Sequence, residues 1–148
     1  MSITAKMYGQ TALTLADKLL DWNSDTVKCV LLTNTYTPNQ DTHTTYAHLE
    51  TSANETSGTG YATGGVTLTA CSAAYTASSN ETILNADDAA WTTASFTART
   101  AVVYSLGTTA SNSYLWGYFQ FSADETVAAG TFTIQWHATD GLFKITAS

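Results

Sequence analysis

Imidazole is the one side chain that ordinarily changes charge near neutral pH, so the three histidines are the first candidates for chemistry in this chain. His43 and His48 lie five apart. On a helix that spacing separates them by about 140°, whereas two ligands to one metal ion want a spacing of four. They read as surface histidines, and His137 reads as a solvated one, with no nucleophile or carboxylate partner nearby in sequence. Asp87 and Asp88 are adjacent, so in an extended chain they point to opposite faces and fail as a catalytic pair. With Asn85 they could offer oxygens to calcium, but the aspartate-rich spacing of a calcium loop is missing, and a polar strand end is expected. Arg99, the only arginine, is expected to be a structural charge paired with a carboxylate. The glycine-rich run GTGYATGG at 58–65 has no lysine and no helical pattern after it, so it fails as a phosphate loop and reads as a turn into Val66. There is no G-x-S-x-G elbow. The sequence therefore offers no catalytic, cofactor-binding or metal-binding residue, and the expectation is a protein that is not an enzyme and needs no cofactor.

What is distinctive is aromatic. In YLWGYFQF, residues 114–121, strict alternation puts Tyr114, Trp116 and Tyr118 on one face and Leu115, Phe119 and Phe121 on the other. One face supplies a core and the other needs a cover: another layer of the same domain, a partner subunit, or a sugar stacked on the rings. Tyr114, Trp116 and Tyr118 are accordingly the candidate interface or ligand-stacking residues.

The elements that must position them follow from composition and periodicity. At 148 residues, 44% of them hydrophobic, the chain suits a single domain with a real core. Only 11% are charged, and about one residue in five is threonine. Five Lys and Arg stand against twelve Asp and Glu, a formal charge of -7, which opposes binding to nucleic acid or an acidic membrane surface. Neither a signal peptide nor a membrane helix is expected, because Asp17 and Lys18 interrupt the only Leu-rich stretch near the start. Cys29 and Cys71 lie in strand-like runs where free thiols pack well, so they are expected unpaired.

Ala5, Tyr8, Ala12, Leu15, Ala16 and Leu19 recur at helical spacing, which predicts an N-terminal helix over about 4–20, capped by Thr4. TVKCVLLT, 26–33, reads as a central strand buried on both faces. Residues 34–65 read as a long irregular segment, with a short helix from Asp41 or Thr42 through Leu49. Strands are expected at 66–76, 82–86, 96–105, 114–121, 131–138 and 142–147, with Asp140-Gly141 as a hairpin turn between the last two. The fold class is mainly β, an antiparallel β-sandwich or barrel with an N-terminal α-helix.

The order of segments SITAKMYGQ, TYTPNQDTH, GTGYATGG, FTARTAVVY, a GY-containing strand and GTFTIQWHATDG resembles small virion structural proteins of tailed bacteriophages over most of the chain. The resemblance transfers no catalytic residue. It implies a protein made in the host cytoplasm and carried on the outer surface of the phage particle, where it contacts the major capsid protein or other virion subunits. A head decoration or cement protein is the leading expectation, as a homo-oligomer such as a trimer on a three-fold shell position. The alternatives are a tail protein (tube, terminator or fibre-associated) and a carbohydrate-binding β-module.

Overall fold

The apolar run at 27–32 becomes the strand on which both layers of the molecule rest. The computed structural model describes residues 3–50 and 54–147. In chain order they form β1 (Ile3–Met7), α1 (Thr11–Ala16), β2 (Val27–Leu32), β3 (Val66–Thr67), β4 (Ser72–Thr76), β5 (Glu81–Asn85), β6 (Ala89–Ser105), β7 (Leu115–Ile134) and β8 (Phe143–Thr146), with 3-10 turns at Tyr46–His48 and Ala110–Asn112. One antiparallel sheet has the order β1-β7-β6-β2-β3 and the other β4-β5-β8. The protein is thus mainly β, with a sandwich-like packing of two sheets. Strand alternation sends Val27, Cys29 and Leu31 into a core shared with Leu84 of β5 and Phe143 of β8. The same alternation sends Val30 and Leu32 to a second core on the opposite face, roofed by Tyr36 and Leu49 of the long segment. Each such aliphatic side chain contributes about 1.5–3 kcal/mol when buried, so a strand apolar on both faces is stable only where both faces are covered.

β6 and β7 make a hairpin of 17 and 20 residues that serves both layers. Phe121 and Phe132 of β7 would be about 36 Å apart in a straight strand, yet their ring centroids are 6.2 Å apart. The ribbon folds back on itself, and the sharpest step lies between the pairs Ala98↔Glu125 and Thr100↔Gln120, where β7 carries more residues than β6. Two further register shifts flank Ala94, and the left-handed residues Thr93 (φ 50) and Ala129 (φ 49) sit in them. Bulges bend a ribbon and turn a sandwich corner in this way. Arg99 staples the bend: its Nε donates to Phe121 O at 2.9 Å, one terminal nitrogen to Ser122 O at 3.3 Å, and the other to Asp124 Oδ1 at 3.1 Å. It is the structural, carboxylate-paired charge that its sequence context suggested.

Several sequence expectations need correction. The N-terminal helix over 4–20 is instead a strand, β1, followed by the six-residue α1. Its buried helical residues are Thr11 and Thr14, while Ala12 and Ala16 are exposed. The reason is hydrogen bonding: Thr11 Oγ1 lies 3.0 Å from both Leu115 O and Trp116 O, and Thr14 Oγ1 donates to Gln10 O at 2.6 Å. Hydroxyls that find carbonyls are buried without penalty, which a hydrophobic-period count overlooks. Residues 66–76 are two strands in different sheets, parted by a crossing with Ala70 at φ 52. The segments at 114–121 and 131–138 are one strand, β7, ending at Ile134. Gly141 has φ 61 and its N–H donates to His137 O at 2.9 Å, so a tight turn does form there. β8 nevertheless pairs with β5, because Leu142 N donates to Leu84 O and carries the chain to the other sheet. The short helix ending at Leu49 shrinks to the 3-10 turn Tyr46–His48.

Candidate functional site

Tyr114, Trp116 and Tyr118 do not share a face. Tyr104 pairs with Leu115 while the neighbouring Val103 pairs with Gly117, so Trp116 is the extra residue of a bulge. A one-residue slip exchanges the faces of everything beyond it. Trp116 therefore joins Phe119 and Phe121 in the inter-sheet core, and Tyr118 joins Leu115 in the second core. Trp116 is fully buried, its Nε1 donating to Ser105 Oγ at 2.8 Å and its ring edge-on to Trp22 at 4.9 Å. Tyr118 is buried with its ring 5.2 Å from Tyr8. Tyr114 is half-buried against the first core. In this chain the three rings are packing residues, and a sugar has no stacking platform on them.

The other candidates are dispersed. Asp87 Oδ2 accepts from Thr69 Oγ1 at 2.8 Å, whereas Asp88 Oδ1 accepts from Trp136 N at 3.0 Å. Each closes a separate local bond. His137 does have a carboxylate neighbour, contrary to its sequence reading: Asp140 Oδ2 lies 3.5 Å from Nδ1 across the tight turn. Among the described residues no three of His, Cys, Asp and Glu converge as metal ligands. Cys29 and Cys71 are free; burial pushes both thiols up, in Cys71 with the charge of Asp87 adding to it, so neither has thiolate character near neutral pH.

What does converge is a set of groups that sequence reasoning missed. Glu55 Oε2 accepts from Tyr46 Oη at 2.9 Å, and its Oε1 accepts from Tyr61 Oη at 2.8 Å and from Gly64 N at 2.6 Å. The glycine run at 58–65 thus wraps a carboxylate of its own chain. Tyr104 Oη donates to Gly64 O at 2.8 Å, and the Tyr46 and Tyr104 rings lie 4.7 Å apart. Gly65 (φ 75) passes so near β2 that a Cβ there would meet Cys29 O at 1.9 Å. Burial, reinforced by the Glu55 carboxylate, holds the phenols of Tyr46, Tyr61 and Tyr104 far above the ordinary tyrosine range. They are neutral donors, not acids, at physiological pH.

Tyr46, Glu55, Gly64 and Tyr104 line an open groove of about 620 Å³ at the end of the five-stranded sheet where β2 begins and β6 ends. Its walls come from three irregular stretches, around 46–50, 55–64 and 106–113. Lys28 of β2 stands in it, its Nζ 3.3 Å from where a Cβ on Gly64 would lie. Among the described residues Lys28 makes no ion pair. Leu106 at the rim is 50% exposed.

Beside the groove, the second core contains a polar chain. Tyr8 Oη and Tyr36 Oη are 2.7 Å apart, Tyr36 Oη is 2.8 Å from His43 Nδ1, and the His43 and His48 rings stack at 5.5 Å. Burial and then the neighbouring His48 lower the His43 pKa, while burial raises Tyr36 to about 12 and Tyr8 further. Among known proteins no family model, curated protein or solved structure matches this chain.

Proposed function

We propose that this chain is a non-enzymatic structural subunit of a tailed-bacteriophage particle, a head decoration or cement protein that docks beside the major capsid protein. The observation that carries the reading is the outer edge of β7. β1 covers only residues 117–121 of that strand, and over 123–134 no strand is laddered to its outer side among the described residues. Exposed edges of this length invite a neighbouring chain, and monomeric proteins blunt them with charges, prolines or bulges. This one carries two carboxylates, Asp124 and Glu125, register shifts at 121–124 and around Ala129, and otherwise small, hydroxyl and apolar residues. It suits lateral contact with neighbouring subunits. The resemblance in segment order supports the same assignment. A modest contact repeated over a symmetric shell gains from effective concentration, and the charge of -7 suits a surface turned away from packaged DNA.

The test is electron microscopy of native particles labelled with an antibody against this chain. Label distributed over heads is the expected result. Label confined to tails would move the assignment to a tail protein, and unlabelled particles would overturn it.

A further inference from the structure

We propose that the groove bordered by Lys28, Tyr46, Glu50, Leu106 and Thr109 binds a neutral oligosaccharide. Its size lies within the 300–1,000 Å³ typical of small-molecule sites. Three irregular segments meet there over the end of a rigid sheet, the arrangement in which folds commonly carry recognition. The charges decide the class of ligand. Glu50 and Glu55 repel an anion and Lys28 repels a cation, whereas a sugar hydroxyl accepts from an ammonium and donates to a carboxylate with the same group. Glu55 is already engaged by three donors, so it positions the Tyr46 ring and the Gly64 backbone while Glu50, which is exposed, and Lys28 remain to meet the ligand. Thr63, Thr108 and Thr109 add uncharged hydroxyls on the walls. The exposed Leu106 and the half-buried ring of Tyr46 give the apolar surface that the C–H face of a pyranose packs on. A long acidic or basic peptide lacks this match, since either sign meets its like in the groove.

This inference stands apart from the particle reading, and the two tests fail separately. The full chain, isotope-labelled, is titrated with maltohexaose, cellohexaose and N-acetylchitohexaose while its backbone amides are followed by NMR. The expected result is a saturable shift of the Gly64, Gly107 and Thr109 amides with at least one of the three. Lys28→Met should weaken that binding by about tenfold, the loss of one charge-assisted hydrogen bond. The spectrum of the variant reports whether it is folded, and Glu50→Gln supplies a second, milder variant in the groove lining. Leu13→Ser, exposed on α1 and outside the groove, should leave binding unchanged. No shift with any of the three sugars, shifts confined to other surfaces, or a response to acidic or basic peptides alone would each overturn the proposal.

Discussion

The two cores of this protein, one on each face of the five-stranded sheet, are built on different chemistry. The core between the sheets is hydrocarbon and indole: Trp22, Trp116, Phe119 and Phe143 meet edge-on or tilted at centroid distances of 4.9–6.2 Å. Such a core is specified by shape and is indifferent to pH. The core on the other face is phenolic. Tyr8, Tyr36, Tyr104 and Tyr118 surround Val30, Leu32 and Val102, and the hydroxyls of the first three reach Tyr36, His43 and Gly64. Its cover is the irregular segment before β3, which has few backbone ladders of its own. Tyrosine suits that place, because its ring fills volume while its hydroxyl satisfies loop groups that no strand can. Two sheets cover each other by shape; a loop covers a sheet through hydrogen bonds.

Four experiments sharpen this contrast. The largest expected effect is Trp116→Ala in the inter-sheet core, which should cost about 3–5 kcal/mol in denaturant unfolding, with little change in that loss between pH 5 and pH 8. A loss of the same size and pH independence from Tyr36→Phe, which removes a hydroxyl bonded to Tyr8 and His43, would erase the distinction between the cores. Next in size is the alkaline response. Burial raises the folded-state pKa of Tyr8 and Tyr36 above the ordinary value of 10.0, Tyr36 to about 12. Their neutral forms therefore contribute stability that is complete below pH 10 and lost as the pH climbs through the raised values. A melting-temperature profile taken with phenolate absorbance should show unfolding and ionisation together.

Third, Glu55→Gln replaces an acceptor of three donors by an amide that can only partly receive them, and should cost about 1–3 kcal/mol. Hydrogen exchange should rise at Gly64 and along 55–65 while the β6 and β7 amides in the sheet stay protected. The smallest effect is at acid pH. The His43 pKa in the folded chain lies below the ordinary 6.5, so the unfolded chain binds the proton more readily. The stability that neutral His43 contributes is full above pH 6.5 and fades as the pH falls through the lowered value. His43→Asn should flatten that limb of the melting curve, and an unchanged limb would place its origin elsewhere.

How much of this was legible in the sequence differs from element to element. β2 was readable because Val27, Cys29, Leu31 and Val30, Leu32 are apolar on both sides of the alternation, which only a doubly covered strand allows. The structural role of Arg99 was readable because a lone cation inside an apolar run needs a partner. The chemistry of Glu55 was not, since its donors Tyr46, Tyr61 and Gly64 are distributed over a stretch with no periodicity to relate them. The faces of Tyr114, Trp116 and Tyr118 were misread for a sharper reason: alternation holds only until a bulge, and the bulge at Trp116 is stabilised from outside the strand. Thr11, more than a hundred residues away in sequence, holds the carbonyls of Leu115 and Trp116.

The sequence by itself determined the β character, the thoroughly buried strand and the acidic, threonine-rich surface, because each depends on local propensity or on composition. Tertiary structure alone decided where the long ribbon bends, which sheet β8 joins and which face each aromatic serves. Those outcomes are chosen by contacts between distant segments. A single extra residue in a ladder, held by a hydroxyl from elsewhere in the chain, reverses what local alternation prescribes.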